Sequence, residues 1–205
     1  MTFSIKQAQE ILEKERYPVI ATINGLRENK HQFNNYYQLI KTDKGWEYSL
    51  FMQEKTNSSE KAELKEFQNE SDGAMYFLLK QLSNGYSRTY IDSYRGVLPD
   101  NLSINDLEKG LQKVGVSAKK FVYGEKELNG TFIQLEKVDD EYCSFSLYVD
   151  GVRTKSSIAL SNRRVLGITF RKVMLLYFFE TKVEPILKRE HTSYGTDELV
   201  TFVFS

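Results

Sequence analysis

An α+β fold is predicted for this chain, built from two tandem related modules that each run helix, antiparallel strands, helix. Three observations predict it. Ser4-Ile5-Lys6-Gln7 is echoed by Ser103-Ile104-Asn105-Asp106 at an offset of 99 residues. The same offset relates Ala74-Met75-Tyr76-Phe77-Leu78-Leu79 to Val173-Met174-Leu175-Leu176-Tyr177-Phe178. Between these anchors, Gln38-Leu39-Ile40-Lys41-Thr42-Asp43 matches Gln134-Leu135-Glu136-Lys137-Val138-Asp139 at an offset of 96. A period this long indicates a duplicated domain, because solenoid repeats run at roughly 20–50 residues. The expected modules are residues 1–98 and 99–205, joined at Leu98-Pro99-Asp100-Asn101.

The first helix of each module follows from its caps and its stripe. Ser4 with Gln7 three residues on forms a capping box, and Ile5, Ala8, Ile11 and Leu12 fall on one helical face. Ser103 opens the second module likewise, with Ile104, Leu107 and Leu111 as the stripe. Pro18 is expected to stop the first helix, and Gly115 its counterpart.

Strands come next. Residues 19–23 are short and β-branched, and residues 37–41 lead through Thr42-Asp43-Lys44-Gly45 into residues 46–52. This is a hairpin with Trp46, Tyr48, Leu50 and Met52 alternating onto one face. That face is expected beneath the second helix, with Trp46 near Phe77 or Leu78. The second module repeats the hairpin over residues 131–137 and 142–149, turning at Asp139-Asp140, and Asp150-Gly151 forms a further turn. Residues 62–67 and 152–160 read as fourth strands.

The second helices carry the densest apolar content. Ala74, Phe77, Leu78 and Leu82 form one stripe, and Val173, Leu176 and Tyr177 belong to the other, whose helix begins near Asn162. After Pro185, residues 198–204 alternate branched and aromatic side chains and read as a terminal strand.

Bulk numbers narrow the function classes. Lys plus Arg and Asp plus Glu both count 28, so the formal charge is zero. A general nucleic-acid binder carries a basic excess that displaces counterions, so no nucleic acid is expected as partner. No apolar run reaches the roughly 18 residues that span a bilayer, and the N-terminus lacks a signal pattern. Cys143 is the single cysteine, which forbids an internal disulfide and fits a reducing compartment. The expectation is a cytoplasmic protein without membrane insertion; the sequence does not fix its oligomeric state.

Catalytic constellations are scarce. His31 and His191 are the two histidines, one in each module, with no paired cysteine and none of the spacings that zinc requires. No glycine-rich phosphate loop occurs. Cys143 sits inside an expected strand, where a buried structural thiol is the ordinary finding. The expectation is a protein that is not an enzyme, with no cofactor and no metal.

Two stretches stand apart from the fold pattern. Tyr86, Tyr90 and Tyr94 are spaced at four, so a helical continuation stacks them on one face with Arg88 and Arg95 nearby. Such a ladder either packs one module on the other or forms a contact surface, since Tyr and Arg are favoured interface anchors. The basic set Arg153, Lys155, Arg163, Arg164, Arg171 and Lys172 is the second, either a solvated face or a contact with an acidic partner. Tyr86, Arg88, Tyr90, Tyr94, Arg95, Arg163 and Arg164 are the candidate partner-binding residues.

A helix of the form Ile-x-x-Ala-x-x-Ile-Leu precedes the hairpin Lys-Thr-Asp-Lys-Gly-Trp-Glu-Tyr (residues 41–48). The segment Glu-Phe-Gln-Asn-Glu-Ser-Asp-Gly-Ala-Met-Tyr-Phe-Leu-Leu-Lys-Gln-Leu (residues 66–82) follows. Together they resemble the small immunity proteins of bacterial polymorphic toxin systems, in particular single-module families of Gram-positive bacteria that neutralise LXG-type toxins. The resemblance covers residues 4–82. The second module departs from it, with Tyr142 in the place of Trp46 and a basic lead-in to its second helix. It implies a protein that binds a cognate toxin domain and sterically blocks it without catalysis, and it carries over no functional residue. The alternative is another protein-binding inhibitor or regulatory module, such as a phage or mobile-element anti-defence protein.

Overall fold

The computed structural model describes residues 2–30, 35–53, 59–94, 102–124 and 129–205. The fold is α+β with mostly antiparallel strands, as the sequence predicts. Its two compact units are Met1–Leu82 with Glu190–Thr192, and Ser83–Arg189 with Ser193–Ser205. The expected junction at residues 98–101 lies outside the described residues, as does His31.

In the first unit, α1 (Ile5–Lys14) is closed at its start by the expected capping box. The Gln7 amide donates to Ser4 Oγ at 3.2 Å, and the Ser4 amide donates to Gln7 Oε1 at 3.0 Å. Its end lies ahead of Pro18, at Arg16, whose φ of 65° lets Tyr17 N–H reach the Leu12 carbonyl and Arg16 N–H the Glu13 carbonyl. That is a Schellman closure on a residue other than glycine.

A meander follows in the order β1 (Val19–Thr22), β2 (Gly25–Glu28), β3 (Tyr36–Thr42), β4 (Gly45–Gln53) and β5 (Ser59–Phe67), antiparallel throughout. The sequence reading lacks β2, a four-residue strand ending in Arg27 and Glu28 with no alternation to reveal it. Gly25 is needed there because a Cβ would fall 1.9 Å from the Leu39 carbonyl oxygen. Between Leu50↔Ala62 and Tyr48↔Lys65, two residues of β5 oppose one of β4, a bulge that leaves β4 itself regular.

Helix α2 (Glu70–Tyr86) starts at Asn69, whose Oδ1 accepts the Asp72 amide at 3.0 Å. It covers the sheet face that carries Leu39, Trp46 and Tyr48. A Cβ at Gly73 would stand 3.1 Å from Leu39 Cδ1 and 3.3 Å from Trp46 Cβ, so the absent side chain lets helix and sheet approach. Trp46 therefore lies under the helix as expected, but half-buried. Tyr48 is the buried aromatic, its ring edge-on to Tyr76 at 4.9 Å and to Phe77 at 6.2 Å. Ala8, Ile11, Leu12, Leu26, Leu39, Phe77 and Leu78 complete this core.

In the second unit, α3 (Ile104–Lys113) repeats α1 closely. Ser103 and Asp106 form its capping box, and Gly115, with φ of 78°, closes its end through the same pair of hydrogen bonds. The strands are β6 (Phe121–Tyr123), β7 (Phe132–Lys137), β8 (Tyr142–Val149), β9 (Val152–Ser156) and β10 (Leu160–Ser161). β8 pairs β7 along one edge and both β9 and β10 along the other, so the single strand expected over residues 152–160 is two. β6, a three-residue strand that the sequence reading also lacks, runs parallel to β7, a departure from the antiparallel expectation.

Helix α4 (Asn162–Phe178) packs on β7 and β8 and runs into a π-helical segment, Phe179–Val183, then α5 (Glu184–Arg189). Pro185 explains the π turn: it has no amide to bond the Thr181 carbonyl, and its ring would crowd that carbonyl in an α-turn. The expected terminal strand is instead helix α6 (Thr196–Val203). Glu198 accepts the Gly195 amide at 2.7 Å, and Leu199, Phe202 and Val203 recur at helical spacing as its buried face.

Local features recur in both units. Tyr36↔Phe51, Gln38↔Ser49 and Leu39↔Tyr48 in the first hairpin match Phe132↔Tyr148, Gln134↔Ser146 and Leu135↔Phe145 in the second. α2 and α4 both span 17 residues and both end in a five-residue π segment. Measured from their starts at Glu70 and Asn162, however, they are offset by 92, which sets Ala74 opposite Leu166 and not Val173. Strand order differs as well, so the repeat does not extend to topology.

Candidate functional site

The tyrosine ladder is split by the π-helical segment Ser87–Ile91, where Asp92 N–H bonds the carbonyl five residues back. Tyr86 and Tyr90 stay in ring contact across it and both reach Phe178, so the division is one of burial. Tyr86 is 1 % exposed, with Phe178 at 5.7 Å and Phe202 at 6.1 Å, and belongs to the core of the second unit. Tyr90 is 38 % exposed and rests edge-on to Tyr86 at 5.8 Å. Tyr94 closes a 3₁₀ turn, half-buried against Phe170 at 6.4 Å.

The remaining sequence candidates scatter. Arg88 is exposed, and Arg95 lies outside the described residues. Arg164 is exposed in the first turn of α4; the side chain of Arg163 is outside those described. Arg153 is held in the sheet by both carboxylate oxygens of Glu136 and by Tyr148, and Lys172 is buried with its ammonium donating to the Ser205 carbonyl at 3.1 Å. The basic set is therefore not one surface.

Tyr90 and Tyr94 do converge, on a groove of about 380 Å³ in the second unit. Buried Met174 and Phe178 give it an apolar floor with Val114, and Tyr177 adds a third phenol. Lys182 lies with its ammonium 5.2 Å from the centre of the Tyr90 ring. Ser93 and Thr181 line it too, their hydroxyls tied back to the carbonyls of Tyr90 (3.0 Å) and Tyr177 (2.7 Å). Both π segments contribute: Tyr90 comes from one, Thr181 and Lys182 from the other. Sequence reasoning missed Tyr177, Thr181 and Lys182. Pro185 was the available signal, because a proline inside a helix turns nearby side chains out of the regular pattern.

Chemistry elsewhere is structural in character. Cys143 lines a second, mostly apolar cavity of about 390 Å³ and donates to Asn162 Oδ1 at 3.1 Å. Burial pushes its thiol up from the ordinary value, partly opposed by Lys137, so the protonated, unreactive form is favoured. Glu184 accepts from Tyr194 Oη and pairs with Lys188 at 2.6 Å. The Lys188 and Tyr194 bonds hold Glu184 below the usual carboxylate range, whereas burial and then Glu184 push Tyr194 up to about 12. Among the described residues no group of three His, Cys, Asp or Glu could hold a metal ion, and no helix is long and apolar enough to cross a membrane.

Comparison of the chain with protein-family models, with curated proteins and with solved structures gives no match.

Proposed function

We propose that this chain is a non-catalytic immunity protein, which binds a cognate bacterial toxin domain in the cytoplasm and occludes it. The observation that carries the reading is the groove formed by Tyr90, Tyr94 and Tyr177 beside Lys182 over an apolar floor. Interfaces concentrate their energy in a few aromatic and cationic anchors set in pockets, within a total buried area of roughly 1,600 Å². Tyr90 in particular is 38 % exposed, resting on Tyr86 at 5.8 Å and Phe178 at 5.3 Å with part of its ring left for a partner. The resemblance of residues 4–82 to immunity proteins supports the same reading. The matched helix caps and hairpin pairings support descent of both units from one module.

The test is co-expression in a surrogate bacterium with the gene immediately upstream, which on this reading encodes a large secreted toxin. Wild-type protein should relieve growth arrest and co-purify with the toxin domain. Tyr90→Ala with Tyr94→Ala should lose both while retaining a cooperative melt. If wild type neither protects nor co-purifies, the reading is wrong. Protection accompanied by covalent change in the toxin, seen by intact mass, would instead make the chain an enzyme.

A further inference from the structure

Resting on that reading, we infer that the groove receives an Asp or Glu side chain of the partner protein, presented beside an apolar residue. The groove is lined by one cation, Lys182, and three phenols able to donate, and its described lining includes no carboxylate. Among the described residues, Lys182 has no carboxylate partner, and the hydroxyls of Tyr90, Tyr94 and Tyr177 have no hydrogen-bond partner. The two acids nearest Lys182 in sequence are already engaged: Glu180 pairs with Lys120, and Glu184 takes both Lys188 and Tyr194. The hydroxyls of Ser93 and Thr181 spend their protons on backbone carbonyls. One groove is thus lined by an ammonium and three phenols, with no carboxylate paired to that ammonium among the described residues.

A carboxylate is the complement, since a charge-assisted bond to an ionised acceptor is shorter and roughly twice as strong as a neutral one. Placing the ammonium above the Tyr90 ring holds it by the ring quadrupole and removes part of its rotamer freedom before any partner arrives. The floor of Met174 and Phe178 favours a carboxylate carried on a peptide chain over a free anion, because the apolar neighbour of an acidic residue gains from covering it. At about 380 Å³, the space is at the small end of ligand-pocket sizes and suits a pair of side chains.

The probes are two tripeptides, acetyl-Phe-Glu-Leu-amide and its Gln counterpart, titrated into the isotope-labelled full chain and followed by amide NMR. The Glu peptide should shift the signals of Tyr90, Tyr94, Tyr177 and Lys182 and bind about tenfold more tightly than the Gln peptide. In Lys182→Met, which keeps the apolar stem, that preference should vanish; in Lys182→Arg it should persist. Equal binding of the two peptides, a preference that survives Lys182→Met, or shifts confined to other residues would overturn the inference. In the protection assay the two readings separate. Loss with Tyr90→Ala but not with Lys182→Met removes the carboxylate inference and leaves the groove as contact surface. Protection retained by both variants removes the groove reading itself.

Discussion

Arg16 and Gly115 occupy the same point of two helices, one residue past the C-cap, and both take a positive φ, 65° and 78°. Each lets the following amide return to a carbonyl in the last helical turn. Only one of them is the residue that this conformation favours. A left-handed backbone costs an L-residue with a Cβ roughly 1–2 kcal/mol, part of which glycine gives back through its freer unfolded chain. Arg16→Gly should therefore stabilise the protein by about 0.5–1 kcal/mol, and Gly115→Ala should destabilise it by about 1 kcal/mol. Urea unfolding midpoints of the two variants, moving in opposite directions, check both.

Tyr48 and Trp46 stand on one face of β4 but differ in burial, and their truncations should differ accordingly. Tyr48→Ala should cost about 3–5 kcal/mol, as for a fully buried aromatic, and Trp46→Ala about half of that. Equal losses in denaturant melts would mean that Trp46 is enclosed more fully than its half-exposed position allows.

The split ladder gives a second contrast. Tyr86→Ala removes a ring packed against Phe178 and Phe202 and should destabilise by about 3–5 kcal/mol. Tyr90→Ala removes one that is 38 % exposed and should cost about 1 kcal/mol. Thermal melts of both variants, read beside the protection assay, separate core from contact: Tyr90→Ala should melt near wild type and fail to protect.

Tyr194 supplies a pH dependence of known sign. Its folded pKa is about 12 against the ordinary 10.0, so the folded state keeps the phenol proton after the unfolded chain has lost it. The stabilisation is complete below pH 10 and falls away as the pH rises towards 12. Glu184 acts in the opposite window: its carboxyl is held down, so its contribution is present above the ordinary carboxylate range and fades as acid protonates it. Tyr194→Phe should flatten the loss of stability between pH 10 and 11.5 relative to wild type, in a series of chemical melts. An unchanged alkaline slope would assign that loss to other groups.

Much of the fold was legible because caps and alternation are local signals. Ser4, Ser103 and Gly115 mark their helix ends through hydrogen bonds that span three to five residues. The hairpin around Asp43 and Lys44 declares itself by alternation and turn chemistry. Three features were hidden for different reasons. β2 is too short to show a period. The pairing partner of β6 depends on where the chain returns, which no local pattern encodes. Residues 198–204 satisfy strand and helix patterns alike, and the Gly195–Glu198 bond decides for helix. For the groove, Tyr90 and Tyr94 were readable as candidates, but Tyr177 and Lys182 join them only through the geometry of α4 and its π turn.

The π segment Ser87–Ile91 also bears on how this protein can diversify. A π turn holds one residue more than the α-turn it replaces, and the helix on either side keeps its facing. Removing a single residue from Ser87–Ile91 would tighten the turn to α pitch while α2, α4 and α5 remain in place, whereas Pro185 opposes the same change at Phe179–Val183. Only the side chains that the turn presents to the groove would be exchanged for others. Single-codon insertions and deletions, ruinous in most helices, become at Ser87–Ile91 a route to a new binding preference on an unaltered frame.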